Sequence, residues 1–413
     1  MRILVWGINY APEVTGIAPC NVALCEHLRA AGHDAHMLTT FAYYPSWTKR
    51  PEDAGKLYRT DALNGVPVHR CWHYVPKKVS ALKRIAHEGS FVATSFVRAL
   101  TLGRFDVAVI ASPPLLLGAA AWLLRKLRGT PYVFHVQDLQ PDAAVGLGML
   151  KPNAFTRMLY RLEAFAYAGA ARVSGISQGM LRAFAAKGVE EEKRVYFPNG
   201  VPSVDVELPA RGSWRARHGF APDDFLAVYS GNLGVKQGLD ILLTAAGELR
   251  DPRVKIVVCG QGAAGEKLRA ASEALRLPNF VLLPLQDDAA YRAMMADTDV
   301  ALITQQAGTG QYFFPSKLLS ALMYARPVLA VADADSELAL ALAEGGFGLL
   351  TPPGDAAELA RTLERAAASD ATERGAWGER GRRYVGRFEW ARVLAEFEAE
   401  LRRVAAEKGE GRR

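Results

Sequence analysis

Cysteine is scarce in this chain of 413 residues, and its scarcity removes whole classes of function. The four cysteines, Cys20, Cys25, Cys71 and Cys259, form no CxxC pair and no compact framework. A zinc site or a disulfide scaffold therefore has no support, and reduced thiols in a cytoplasmic protein are the simplest reading. A secretory signal is also missing: the first residues run straight into an apolar strand and a Gly/Pro turn. The longest apolar run, Pro113–Leu124, has 12 residues, short of the roughly 20 that span a bilayer. The loop after the first strand, Gly7–Gly16, does not carry the dinucleotide fingerprint GxGxxG, which weakens a hydride-transfer reading.

What remains is a globular composition, 50% hydrophobic and 23% charged, with ample apolar mass for two cores. The net charge of +7 is unevenly spread. Residues 1–205 hold 24 Lys and Arg against 15 Asp and Glu, so the basic excess belongs to the N-terminal half. That half should face an anionic partner such as lipid, phosphate or nucleic acid.

Short β-branched runs alternate with helical patterns along the whole length. Arg2–Trp6, Ala35–Thr39, Val66–Cys71, Val107–Ala111, Tyr132–His135, Arg172–Gly175 and Val195–Phe197 read as strands. After the Pro/Gly-rich linker 198–214 the pattern restarts with Leu226–Ser230, Lys255–Cys259, Phe280–Leu283, Val300–Ile303 and Pro327–Val331. Such alternation predicts two α/β units, each a parallel sheet with helices on both faces, with a ligand cleft between them. The expected division is 1–205, 206–385 and a terminal amphipathic helix within 386–413.

Six segments could carry chemistry. The loop Gly7–Gly16 opens a helix, where free N–H groups suit a phosphate; an ordinary βα turn explains it equally. His135 and Asp138 follow an apolar strand, where parallel sheets place reactive groups; a buried His and a helix-capping Asp are the alternative. Gly231, Asn232 and Lys236 join a flexible turn to a cation, again fitting phosphate. Gly260 and Gly262 let a planar group approach the backbone. Ser316 and Lys317 begin a helix, and a lysine in a first turn opposes the helix dipole unless an anion compensates it. Finally, Leu82, Ile85, Ala86, Phe96, Val97 and Leu100 can share one helical face beside Lys77, Lys78, Lys83 and Arg84. This fits an interfacial helix on anionic lipid or a core helix with a basic rim.

Taken in order, GINYAPEVTGIA, YYPSW, YVPKK, SPPLLLG, HVQDLQPD, SGISQGM, FPNGVP, GNLGVKQGLD and FPSKLLSALMYARPVLA resemble glycosyltransferase family 4, the retaining GT-B enzymes. The likeness covers nearly the whole chain, and its N-terminal part is nearer to the colanic-acid biosynthesis subgroup. The resemblance implies two facing Rossmann-like domains, a nucleotide sugar held mainly by the second, and no metal or other cofactor. It implies that the first domain takes a glycan or polyprenyl-diphosphate-linked acceptor at the inner face of the cell membrane. It places Gly16 near the donor diphosphate, His135 and Asp138 near the transferred sugar, Lys236 on the phosphates, and Gly260, Gly262 and Leu285 near the base. Departures are present: Asn232 and Gln237 stand where the family has Arg and Lys, and Tyr312 and Ser320 where it often has glutamates. Lys317 and Ser320 would then meet phosphate and ribose. The expected function is transfer of a hexose, UDP-linked, in bacterial surface-polysaccharide synthesis. A GT-B nucleotide-sugar epimerase and an inactive membrane-associated scaffold are the alternatives. No nucleic-acid motif is present, so nucleic acid is not expected as a partner.

Overall fold

The apolar runs fold into two parallel sheets in a computed structural model, which describes residues 1–14, 16–78, 80–146, 151, 153–310 and 316–410. The chain divides into one unit of Met1–Asn199 with Trp390–Arg413, and a second of Gly200–Glu389. The division thus falls at residues 199/200, and the chain re-enters the first unit at Trp390.

The first unit holds eight strands: β1 (Arg2–Trp6), β2 (Asp34–Thr40), β3 (Tyr58–Leu63), β4 (Val66–Cys71), β5 (Val107–Ser112), β6 (Tyr132–Val136), β7 (Arg172–Gly175) and β8 (Arg194–Tyr196). Their order is β3-β4-β2-β1-β5-β6-β7-β8. Strands covered on both faces read as continuous apolar runs, and β5, VAVIAS, is buried at all six positions. The exception corrects the expected all-parallel sheet: β3 is an antiparallel edge strand paired with β4. Its sequence, YRTDAL, alternates half-buried with exposed residues along much of its length because one face meets solvent. The link is the two-residue turn Asn64-Gly65, both at positive φ, a hairpin signal that the sequence reading passed over.

The second unit is a six-stranded parallel sheet: β9 (Phe225–Asn232), β10 (Val254–Gln261), β11 (Phe280–Leu283), β12 (Val300–Thr304), β13 (Val328–Val331) and β14 (Gly348–Thr351). Its order is β11-β10-β9-β12-β13-β14. In each unit the strand order turns back at the first strand, between β1 and β5 and between β9 and β12. Loops diverge at such a switch point and leave a crevice at the carboxyl ends of the strands.

The helix Trp390–Glu410 completes the first unit. Phe397, Leu401 and Val404 are buried in the core cluster of Ile3, Val5 and Val109. Polar ties hold the same helix. Glu398 accepts hydrogen bonds from His27 at 2.9 Å, His33 at 3.0 Å and Arg402 at 2.6 Å, and Arg172 donates to Glu400 at 2.7 Å. Replacing Glu398 by Ala leaves His33 buried without its acceptor, a loss of about 1–3 kcal/mol. Thermal unfolding of Glu398→Ala should show the melting temperature lowered by a few degrees; an unchanged value would remove Glu398 from the forces holding this helix.

Candidate active site

The carboxyl end of β9 and its neighbours assemble most of the expected donor-site residues. Gly231 pairs with Gly260 across β9 and β10, and Asn232 pairs with Gln261. A Cβ on Gly260 would overlap the carbonyl oxygen of Gly231. Gly231 has φ +133°, and a Cβ there would meet Lys317 Cε at 2.5 Å. The two glycines therefore let the strands close up and let a lysine lie across the turn. Gly262 is crowded in the same way, by Asn232 Oδ1 at 2.5 Å and the Leu233 carbonyl at 2.6 Å.

Lys317 sits in the first turn of the helix Ser316–Met323. Its ammonium donates to Tyr229 Oη and to the Asn232 carbonyl, the latter at 3.3 Å. It also lies 4.0 Å from the centroid of the Tyr229 ring. Tyr229 Oη in turn donates to the Asn232 carbonyl at 2.7 Å. Burial, and then the charge of Lys236, pushes the Lys317 ammonium down to about 7. Among the described residues no carboxylate offsets this shift at Lys317. Lys236 lies in a 3-10 turn, Val235–Gln237, and its carbonyl accepts from the Gln306 amide at 2.9 Å, tying the loops after β9 and β12 together. Two cations, Lys317 and Lys236, thus converge at the switch point, an arrangement suited to a diphosphate.

Tyr229 was not foreseen. It lies inside the apolar strand FLAVYSGN, where an aromatic reads as core, and its hydroxyl two residues before a glycine was the signal. Ser316 is exposed at the helix start, while Ser320 turns to a hydrogen bond with Tyr291. Leu285 is exposed on the loop after β11. Tyr312 and the Phe313-Phe314-Pro315 motif lie outside the described residues.

The chain also contains two Asp-x-Asp triplets. Asp297 and Asp299 are buried, and they hold Arg215 and the Gly212 amide. Asp333 accepts from the Gly308 amide at 2.7 Å.

In the first unit, His135 is 1% exposed and is packed beside Phe197 and Phe397. Gln137 Nε2 lies 2.7 Å from its Nε2, and Ser174 Oγ lies 2.9 Å from its Nδ1. Burial pushes its imidazolium down to about 3, so the ring is neutral at any working pH. The strand carries His135 into the core, and the part of the motif that reaches the surface is Gln137 and the exposed Asp138. Gln137 donates to Asn199 Oδ1 at 3.2 Å. Gly16 opens the helix Ala18–Ala30 at φ +65°, and among the described residues Tyr44 lies near its Cβ position. The buried Glu13 fixes that loop by accepting from the amides of Tyr43 and Tyr44, both at 2.8 Å, and from Asn9 at 2.7 Å.

The chain matches the glycosyl transferase 4-like domain over residues 15–200 and the glycosyl transferases group 1 domain over residues 210–384. It is 33% identical to the WcaI glycosyl transferase named for colanic acid biosynthesis in Escherichia coli (strain K12), over 82% of this chain and 85% of that one. The chain belongs to glycosyltransferase family 4. Its fold is that of the GT-B glycosyltransferases. Sucrose-phosphate synthase from Thermosynechococcus elongatus superposes with a TM-score of 0.77 at 17% identity, over 98% of this chain and 99% of the other. Anabaena Alr3699/HepE, solved with UDP, gives 0.71 at 19% identity, over 97% and 99%. The protein is therefore a glycosyltransferase of the kind that works in bacterial polysaccharide synthesis.

The depressed Lys317 ammonium has a consequence for this enzyme. Above pH 7 the lysine is neutral in the empty site, and an anion beside it restores the proton. A diphosphate held by Lys317, with UDP as the probe, should bind more weakly as pH rises from 7 to 9, with proton uptake visible by calorimetry in buffers of different ionisation enthalpy. Lys317→Met should flatten the slope; a slope that survives in this variant would assign it to another group.

Proposed function

We propose that this glycosyltransferase moves a hexose from a UDP sugar, with retention of configuration, to a glycan or polyprenyl-diphosphate-linked acceptor. The observation that carries the donor assignment is Lys317 lying across Gly231 against Tyr229, its charge set against both the helix dipole and Lys236. Such a group is stabilised by bound diphosphate. As the nucleotide diphosphate leaves, negative charge grows on its oxygens, and Lys317, Lys236 and backbone N–H groups would stabilise it without moving. UDP rather than another nucleotide is suggested by the UDP held in Alr3699/HepE. No metal is assigned a part in this reading. His135 would act as a positioning residue, holding Gln137 through its ring.

The first unit holds 30 Lys and Arg against 19 Asp and Glu. No helix among the described residues is long and apolar enough to cross a membrane. On the helix Ala81–Thr101, Leu82 is 80% exposed and Ile85 51%, beside the exposed Lys83 and Arg84, whereas Phe96 and Leu100 are half-buried. Exposed leucine and isoleucine next to cations suit the headgroup boundary of an anionic membrane, with the protein peripheral on its cytoplasmic face.

Two experiments test these assignments. Thermal shift with UDP and GDP, alone and as sugars, should raise the melting temperature for the UDP set. The shift should vanish in Lys317→Ala; no shift with any nucleotide in folded protein would favour the scaffold reading. Vesicles containing phosphatidylglycerol should co-sediment the protein, and Leu82→Ser with Ile85→Ser should reduce the bound fraction several-fold. Equal binding by this double variant would remove the helix from the membrane contact.

A further inference from the structure

A cavity of about 500 Å³ opens in the first unit, lined by none of the residues assigned to the donor. It lies beside the hairpin β3–β4 and reaches the loop after β1 at Ala11 and Pro12. Its volume falls within the range of about 300–1,000 Å³ that takes small ligands.

The floor is a fixed array of charge. Arg70 is buried and fully engaged: it donates to Asp61 at 2.7 Å, to the Thr40 carbonyl at 3.2 Å and to the Ala11 carbonyl at 2.6 Å. Arg59 donates to Asp61 at 3.0 Å and also to the buried Asp53. Asp61 remains a quarter exposed, so its carboxylate keeps an open face. These guanidinium–carboxylate pairs present rigid donors and acceptors side by side, the pattern that hydroxyl groups on a ring can match. Pro12, Ala62 and Leu63 supply apolar wall for the C–H face of such a ring.

Arg50 breaks the balance. It lines the same cavity, yet among the described residues the carboxylate it pairs with, Glu52, stands 3.7 Å away, and both side chains are more than half exposed. The lining therefore holds three arginines against two aspartates, and the surplus cation is the loosely held one. An oxyanion on the ligand would meet Arg50 with a charge-assisted bond that Glu52 does not make.

The geometry points to a saccharide subsite for a sugar bearing an oxyanion, carboxylate or phosphate, on the acceptor side of the enzyme. This rests on the transferase reading, since it takes the first unit as the acceptor's. The carboxylate and the phosphate are two sources of one chemistry, and the probes separate them.

Saturation-transfer NMR would be run with D-glucuronate, glucose 1-phosphate and D-glucose on the full chain. Either anionic sugar should give transfer, the stronger one naming the oxyanion, with D-glucose weaker. Arg50→Gln, which alters an exposed side chain, should weaken binding about tenfold, a loss of about 1.4 kcal/mol. Ala62→Trp fills the cavity from an exposed edge position and should abolish the signal. The UDP thermal shift, measured on the same samples, reports the donor site separately. If UDP binds but no sugar does, or if the anionic sugars bind Ala62→Trp unchanged, the subsite is wrong while the transferase reading stands. D-glucose binding as well as the anions would overturn the oxyanion.

Discussion

Two glycines paired across adjacent strands decide what the second unit can hold. Gly260 must lack a Cβ for its strand to sit against the Gly231 carbonyl, and Gly231 must lack one for Lys317 to cross it. Neither condition is met by any other residue at those positions. The consequence is a lysine held close to a tyrosine ring, to a backbone carbonyl and to a second lysine, where its charge is disfavoured until an anion arrives. Strand register, turn conformation and site electrostatics are thus one arrangement.

The first unit solves a different problem. Its sheet is completed by a helix that comes from the far end of the chain, anchored by stacked Phe197 and Phe397 rings 3.8 Å apart and by the Glu398 and Glu400 ion pairs. His135 is enclosed by that same packing, which accounts for its neutrality. The open chemistry of this unit lies instead at the loops after β1 and β2 and along the β3–β4 hairpin, where Glu13 pins backbone amides and the arginine-lined cavity opens.

Much of this architecture was legible from the chain. Twelve apolar runs marked strands because a parallel sheet buries both faces and so demands uninterrupted hydrophobic stretches. The strands β3 and β14 escaped the same logic: β3 is half-solvated and carries Arg59 and Asp61, and β14 is a four-residue strand at the opposite kind of edge. Within the site, Lys317 was readable because a cation in a first helical turn violates the dipole rule. Tyr229 was not, because a hydrophobic strand gives no sign of which aromatic has a working hydroxyl. For His135 both readings stayed open because sequence locates the end of a strand only to within a residue, and one residue separates a side chain in the core from one at the rim.

The central claim is that Lys317 is a suppressed ammonium waiting for the donor diphosphate. Reductive methylation with 13C-formaldehyde, followed by NMR titration and assigned with Lys317→Met, measures this directly. The account predicts a Lys317 midpoint near 7 in the free protein that moves up by more than a unit when UDP is added. A midpoint in the ordinary lysine range of about 10.4, unmoved by UDP, would contradict it.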